Sequence, residues 1–174
     1  MRKFFVILFI GLFLFVGALY AYAKEQKMAY VDLDRVFEEY NKTKEEYKSL
    51  DDRLKQKEGE RKKMVDEIRR LKDELELLSD KGKEAKQAVI DDKINALSEF
   101  DRKAKDDFKK DRLNAIRDIS NEIDKVIQDY GKSQGYDYIF SSRAMVFGKD
   151  EYDITNEVIK ILNSKTAGGG GKKQ

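Results

Sequence analysis

Between Asp34 and Tyr130 the chain alternates apolar and charged positions at helical spacing, with one short break at Ser79-Asp80-Lys81-Gly82-Lys83. In the first half, steps of four and three lead from Val36 through Tyr40, Thr43, Tyr47, Leu50 and Leu54 to Lys57 and Arg61. They continue through Met64, Ile68, Leu71 and Leu75 to Leu78. This is a heptad register with a polar middle. No proline interrupts it, and the remaining positions are mostly charged, as the solvated face of a long helix requires. At 1.5 Å per residue the pattern predicts a continuous helix roughly 70 Å long.

The second half follows another period. Ile90, Ile94, Leu97, Ala104, Phe108, Ala115, Ile119, Val126 and Tyr130 recur, and Leu97, Phe108, Ile119 and Tyr130 are spaced at elevens. An eleven-residue repeat lies close to the natural period of a straight helix, so this partner is not forced into a left-handed supercoil. A connection as short as 79–83 predicts an antiparallel hairpin, giving an arm from 34 to 130.

The segments flanking the arm predict a small body of about fifty residues, formed by 24–33 and 131–165. Met28 to Leu33 alternates as a strand does, with Ala29, Val31 and Leu33 on one face. Asp34 is placed to cap the first long helix, and Gly131 to close the second in the left-handed conformation. Tyr136–Phe140 and Ala144–Phe147, separated by Ser141-Ser142-Arg143, predict a β-hairpin. Asp153 is placed to cap a last helix with Ile154, Val158, Ile161 and Leu162 as its buried stripe. The glycine-rich segment 166–174 predicts a disordered tail. The fold class expected is α+β, mostly α. So small a body, without cysteine or metal ligands, implies oligomerisation, through Ala29, Val31, Leu33, Val36, Phe37, Tyr138, Phe140, Val146, Ile154 and Val158.

The first 23 residues stand apart from this pattern. Arg2 and Lys3 precede an apolar run from Phe4 to Tyr20, and Ala21-Tyr22-Ala23 places small residues where a signal peptidase cuts. A cleaved secretory signal is the expectation; a retained membrane anchor at the short limit for spanning is the alternative.

Composition then narrows the chemistry. The chain has no histidine and no cysteine, which removes disulfides, thiolate and imidazole nucleophiles and zinc sites. No catalytic residue, metal or cofactor is assigned. The glycines and lysines of the tail are not a phosphate loop, because no serine or threonine follows and no helix begins there. Without Arg2 and Lys3 the 36 basic residues fall to the 34 of the acidic set, so no basic excess points to nucleic acid.

Two features of the arm are candidates for function. Midway, Lys57 and Arg61 occupy seam positions around Gly59, opposite approximately Asp101 to Lys105. Gly59 is read as a hinge, the alternative being that polar seam residues fix register. Toward the tip, Val65, Leu77, Val89, Ala96 and Phe100 fall beside the two-helix seam. They either thicken the arm or offer a dilute apolar lining for an unfolded polypeptide.

Met-Ala-Tyr-Val-Asp-Leu-Asp-Arg-Val-Phe at 28–37, the long charged hairpin, Tyr-Asp-Tyr-Ile-Phe at 136–140 and Asp-Ile-Thr-Asn-Glu-Val-Ile-Lys-Ile-Leu-Asn at 153–163 together resemble the Skp (OmpH-like) family of periplasmic chaperones. The resemblance implies a homotrimer with a β-rich body and three helical tentacles around a cavity. It further implies periplasmic holding of unfolded outer-membrane proteins without nucleotide. The balanced charge leaves membrane or lipopolysaccharide contact open. A structural coiled-coil protein of the cell envelope, anchored by its first segment, is the competing reading.

Overall fold

The computed structural model describes residues 25–169. The leader expected over 1–23 and the end of the tail, 170–174, lie outside the described residues. The order of elements is strand β1 (Met28–Val31), helix α1 (Leu33–Glu39), helix α2 (Asn41–Glu76), helix α3 (Asp80–Gln134), strand β2 (Tyr138–Ser141) and helix α4 (Thr155–Gly169). Short 3₁₀ turns occupy Ser142–Ala144 and Asp150–Tyr152. The architecture is α+β and mostly helical, with a long helical hairpin rising from a small base.

β1 and β2 pair in parallel, Met28 opposite Tyr138 and Val31 opposite Ser141. A parallel pair needs a crossover connection, and here the crossover is the arm itself. This overturns the expected hairpin of 136–147. β2 spends its pairing capacity on β1, and residues 144–147 form no strand, so Val146 lies fully in solvent. On the other edge of β1 a single bridge forms among the described residues, from Tyr30 to Asp153.

Three predicted helix ends move for identifiable reasons. Asp32, rather than Asp34, caps the first helix, its carboxylate accepting from the backbone N–H groups of Asp34 and Arg35. Asp34 instead takes a two-pronged contact from the Arg143 guanidinium at 2.7 and 2.5 Å. The helix then stops at Tyr40, which is extended (φ −69°, ψ 123°), and the arm proper starts at Asn41. At the far end α3 runs past Gly131 to Gln134, and the left-handed residue is Gly135 at φ 71°. The Tyr136 N–H closes the end on the Gly131 carbonyl at 2.9 Å. Gly131 serves packing: a Cβ there would stand 2.8 Å from Ile139 Cδ1. The tail prediction also shortens, since α4 continues to Gly169 and Thr166 donates to the Leu162 carbonyl at 3.1 Å.

The core sits where the base meets the arm. Ala29 and Val31 from β1, Val36 from α1, Ile119, Ile123 and Val126 from α3, and Ile154, Val158 and Leu162 around α4 are all buried in one cluster. Asp153 accepts from the Thr155 N–H at 2.8 Å at the start of α4. The Thr155 hydroxyl in turn accepts from the Asp32 N–H at 2.9 Å, tying the start of α4 to the cap of α1.

Candidate functional site

The arm is a thin object. α2 buries Leu50 and Ile68, α3 buries Ile119 and Ile90, and between these levels no side chain of 51–67 or 91–118 is buried. Two helices alone enclose little core, so the seam is closed at the root and near the tip and only half-covered between, where Met64, Leu97, Ala104 and Phe108 are half-buried. Arg61 reaches Asp101 at 3.0 Å within that half-covered section. α2 continues through Gly59 without a break, and open space surrounds that glycine.

The two flanks of the arm differ. At about 100° of turn per residue, Lys42–Glu122, Arg53–Asp111, Glu67–Lys93 and Glu74–Lys86 all fall on one side of the seam. Each is an ion pair between α2 and α3, the first three at 2.5, 2.6 and 2.8 Å. This flank carries four cross-helix ion pairs. By the same count Tyr47, Leu54 and Val65 of α2 and Ile94 and Leu113 of α3 lie on the other flank, and all are exposed.

Of the residues read from sequence as an apolar lining, Val89, Ala96 and Phe100 share one stripe of α3, while Val65 and Leu77 lie elsewhere. Leu77, 87 % exposed, stands at the tip, where α2 ends. Val89, Ala96 and Phe100 lie on the ion-paired flank, and Lys57 Nζ sits 5.3 Å from the centre of the half-buried Phe100 ring. Val65 is on the opposite flank. The exposure of Tyr47, Leu54, Ile94 and Leu113 is not legible in the sequence, because three of them hold or adjoin seam positions, where the heptad assigns burial. A two-helix seam covers only part of such side chains.

At the root, Tyr40 is 1 % exposed and joins three helices. Its hydroxyl donates to Glu122 Oε1 at 3.0 Å and receives a contact from Thr166 Oγ1 at 3.5 Å. Lys42 Nζ meets the other Glu122 oxygen at 2.5 Å. Burial alone would raise the Glu122 carboxyl, but hydrogen bonds from Lys42 and Tyr40 outweigh it and hold the group below its ordinary range. The same bond to Glu122, against a smaller desolvation effect, raises the Lys42 ammonium.

The base presents an open groove of about 1070 Å³, lined by Met28, Tyr30, Phe140, Met145, Phe147 and Tyr152 among others. Tyr138 and Phe140 stack on the outer face of β2 with ring centres 6.1 Å apart. Of the residues assigned to oligomerisation, Ala29, Val31, Val36, Ile154 and Val158 are buried within the single chain, and Leu33 and Phe37 pack against them. Only Tyr138, Phe140 and Val146 remain exposed. Among the described residues there is no cluster of metal-ligating side chains, and no helix is long and apolar enough to cross a membrane.

Comparison with known proteins agrees with this architecture. A crystal structure of a protein from Caulobacter crescentus CB15, provisionally assigned as an outer membrane chaperone (OmpH-like), superposes with a TM-score of 0.74 at 15 % identity, covering 82 % of this chain and 86 % of the other. No curated protein matches the sequence. The profile of the family described as outer membrane protein (OmpH-like) matches residues 27–162, from the residue before β1 to the buried stripe of α4, and the chain belongs to that family.

Proposed function

We propose that this protein is an ATP-independent periplasmic holdase: a homotrimer whose helical arms surround unfolded outer-membrane β-barrel proteins and prevent their aggregation. Family membership supports a chaperone role in general. The observation that carries the specific reading is the arm itself, a charged rod that leaves Leu54, Val65, Ile94 and Leu113 in water. Each offers a client a fraction of the 1.5 to 3 kcal/mol of full burial, at roughly 25 cal/mol per Å². Several arms joined at their bases multiply such contacts by effective concentration while each stays breakable. Release then requires no fuel, since a client that folds in a membrane buries the same surface more completely.

Trimerisation is supported by the base. The groove beside β1 is bordered by exposed aromatic and aliphatic side chains that the single chain leaves uncovered. The leader supports secretion to the periplasm. The deciding measurement is solution mass, by light scattering, with and without a urea-denatured porin, alongside turbidity of the porin after dilution. A trimer that takes up porin and keeps it clear supports the reading; a lone chain indifferent to porin sinks it. The mass of the native N-terminus separates a secreted form beginning at Lys24 from an envelope coiled coil anchored through Met1.

A further inference from the structure

The unlike flanks of the arm assign a more particular contact surface. We propose that the flank bearing Leu54, Val65, Ile94 and Leu113 is the one that meets the client, and that it selects extended segments in which acidic residues are interspersed with apolar ones. This rests on the chaperone reading above.

The first argument is accessibility. The opposite flank is crossed by four ion pairs, and its largest apolar group, Phe100, is shared with Lys57. A client docking there would have to displace both. The client-facing flank has one cross-helix pair, Arg61 with Asp101, and it exposes four large apolar side chains, Leu54, Val65, Ile94 and Leu113, where the mid-arm of the other flank exposes Val89.

The second argument is charge. The hairpin register sets Arg53–Lys63 beside Asp101–Arg112, and these two segments hold twelve basic and six acidic residues. The rest of the described chain holds nineteen basic and twenty-eight acidic. A chain that is nearly neutral as a whole thus carries a basic belt at mid-arm, between acidic root and tip. Lys62, Lys105, Lys109 and Arg112 are exposed, take part in no ion pair, and by helical phase lie on the proposed flank.

The third argument is order. Along α2 the flank reads Leu54, Glu58, Lys62, Val65, and along α3 Leu113, Lys109, Lys105, Ile94, so its cations are concentrated on α3. A matching partner presents apolar, anionic and apolar groups in line, which an extended acidic-apolar segment does. A second copy of the same flank would set cation against cation, which is repulsive. A flat anionic surface would meet the lysines and leave the apolar line unused.

The test compares near neighbours on α3. A benzophenone side chain placed at Lys105 is expected to crosslink denatured porin, whereas one placed at Lys103, on the ion-paired flank, crosslinks it several-fold less. In parallel, two unfolded peptides of equal length and apolar content, one carrying Asp and Glu and one carrying Lys, are titrated onto the intact protein. The acidic peptide is expected to bind more tightly. The triple variant Lys62→Glu, Lys105→Glu, Lys109→Glu, with helicity and solution mass unchanged, weakens it about tenfold at low ionic strength, and by less where the screening length falls to about 8 Å. Equal crosslinking from both sites, equal affinity for both peptides, or sedimentation with anionic vesicles in place of peptide binding overturns the assignment while porin holding stands. A parent protein that fails to keep porin in solution removes the chaperone reading and this one with it.

Discussion

The Tyr40 hydroxyl donates to Glu122 Oε1 at 3.0 Å across the joint where α1 gives way to the arm. Tyr40 is extended between two helices, so α2 is not a continuous helical extension of α1. α3, by contrast, runs unbroken through 55 residues from tip to base. The arm is therefore fixed through α3, and α2 is fastened to it at the root by Glu122, which takes Tyr40 with one oxygen and Lys42 with the other.

That clamp gives stability a defined pH dependence. Glu122 is held below its ordinary value of 4.5, so on acidification the unfolded chain takes up this proton before the folded one does. The clamp's contribution is complete above the ordinary value and is lost as pH falls through the lower, folded one. Lys42 has the opposite sign: raised above 10.5, it contributes fully below that value and is lost only as pH rises beyond it. Urea midpoints of the parent and of Glu122→Gln are expected to converge as pH falls from neutral through 4.5 and past the lower, folded value. Equal separation across that range would show that the clamp does not titrate.

Thr43 sits one turn above this joint, and its buried hydroxyl has no hydrogen-bond partner. A buried hydroxyl without a partner costs about 1 to 3 kcal/mol, and a side chain of the same shape without it avoids that cost. Thr43→Val is expected to raise the unfolding free energy by about 1 kcal/mol. Thermal or urea unfolding checks this, and a destabilised variant would mean that the hydroxyl is satisfied in solution.

Glycine separates the mid-arm from the end of the arm. Gly59 lies within α2 with nothing near its missing Cβ, so Gly59→Ala should stabilise the helix by roughly 1 kcal/mol. If this glycine is the hinge, spin labels on the tip and base of that variant show a narrower distance distribution than in the parent. A parent distribution already narrow removes the hinge and leaves the stability gain. Gly135→Ala goes the other way, since φ 71° costs a residue with a Cβ about 1 kcal/mol.

How far the sequence discloses this molecule depends on the range of the interaction concerned. The two long helices and their antiparallel return are legible because Leu50, Ile68, Ile90 and Ile119 stand at local periodic positions and a short break leaves one way back. Ile154, Val158 and Leu162 are legible as a helix stripe on the same ground. The base was misread where pairing is non-local: Tyr138–Ser141 joins Met28–Val31 across more than a hundred residues, and nothing near 144–147 signals that its apparent partner stays unpaired. Asp32 and Asp34 compete for one cap, and distant contacts separate them: the Asp32 N–H is held by Thr155 and the Asp34 carboxylate by Arg143. In the candidate site the heptad marks Leu54 as buried, although a two-helix seam leaves it 39 % exposed. Which flank Val65 and Phe100 occupy follows only once ion pairs fix the register.

The same non-local pairing leaves a test of assembly. Val146 and Phe147 follow β2 in a segment without regular structure, with Phe147 82 % exposed and lining the groove beside β1. Such side chains contribute nothing to the single chain, and an interface that covers them draws on aromatic anchors of the kind that dominate binding energy. The double change Val146→Ser and Phe147→Ser is expected to leave helicity and the monomer's core intact while weakening association at least about tenfold, which is roughly 1.4 kcal/mol. Sedimentation equilibrium measures the association, and porin aggregation assayed on the same samples shows whether holding falls with it. Association unchanged by the substitutions would move the interface off this groove. Association lost with holding retained would show that one arm suffices, and that surrounding the client is not how this protein protects it.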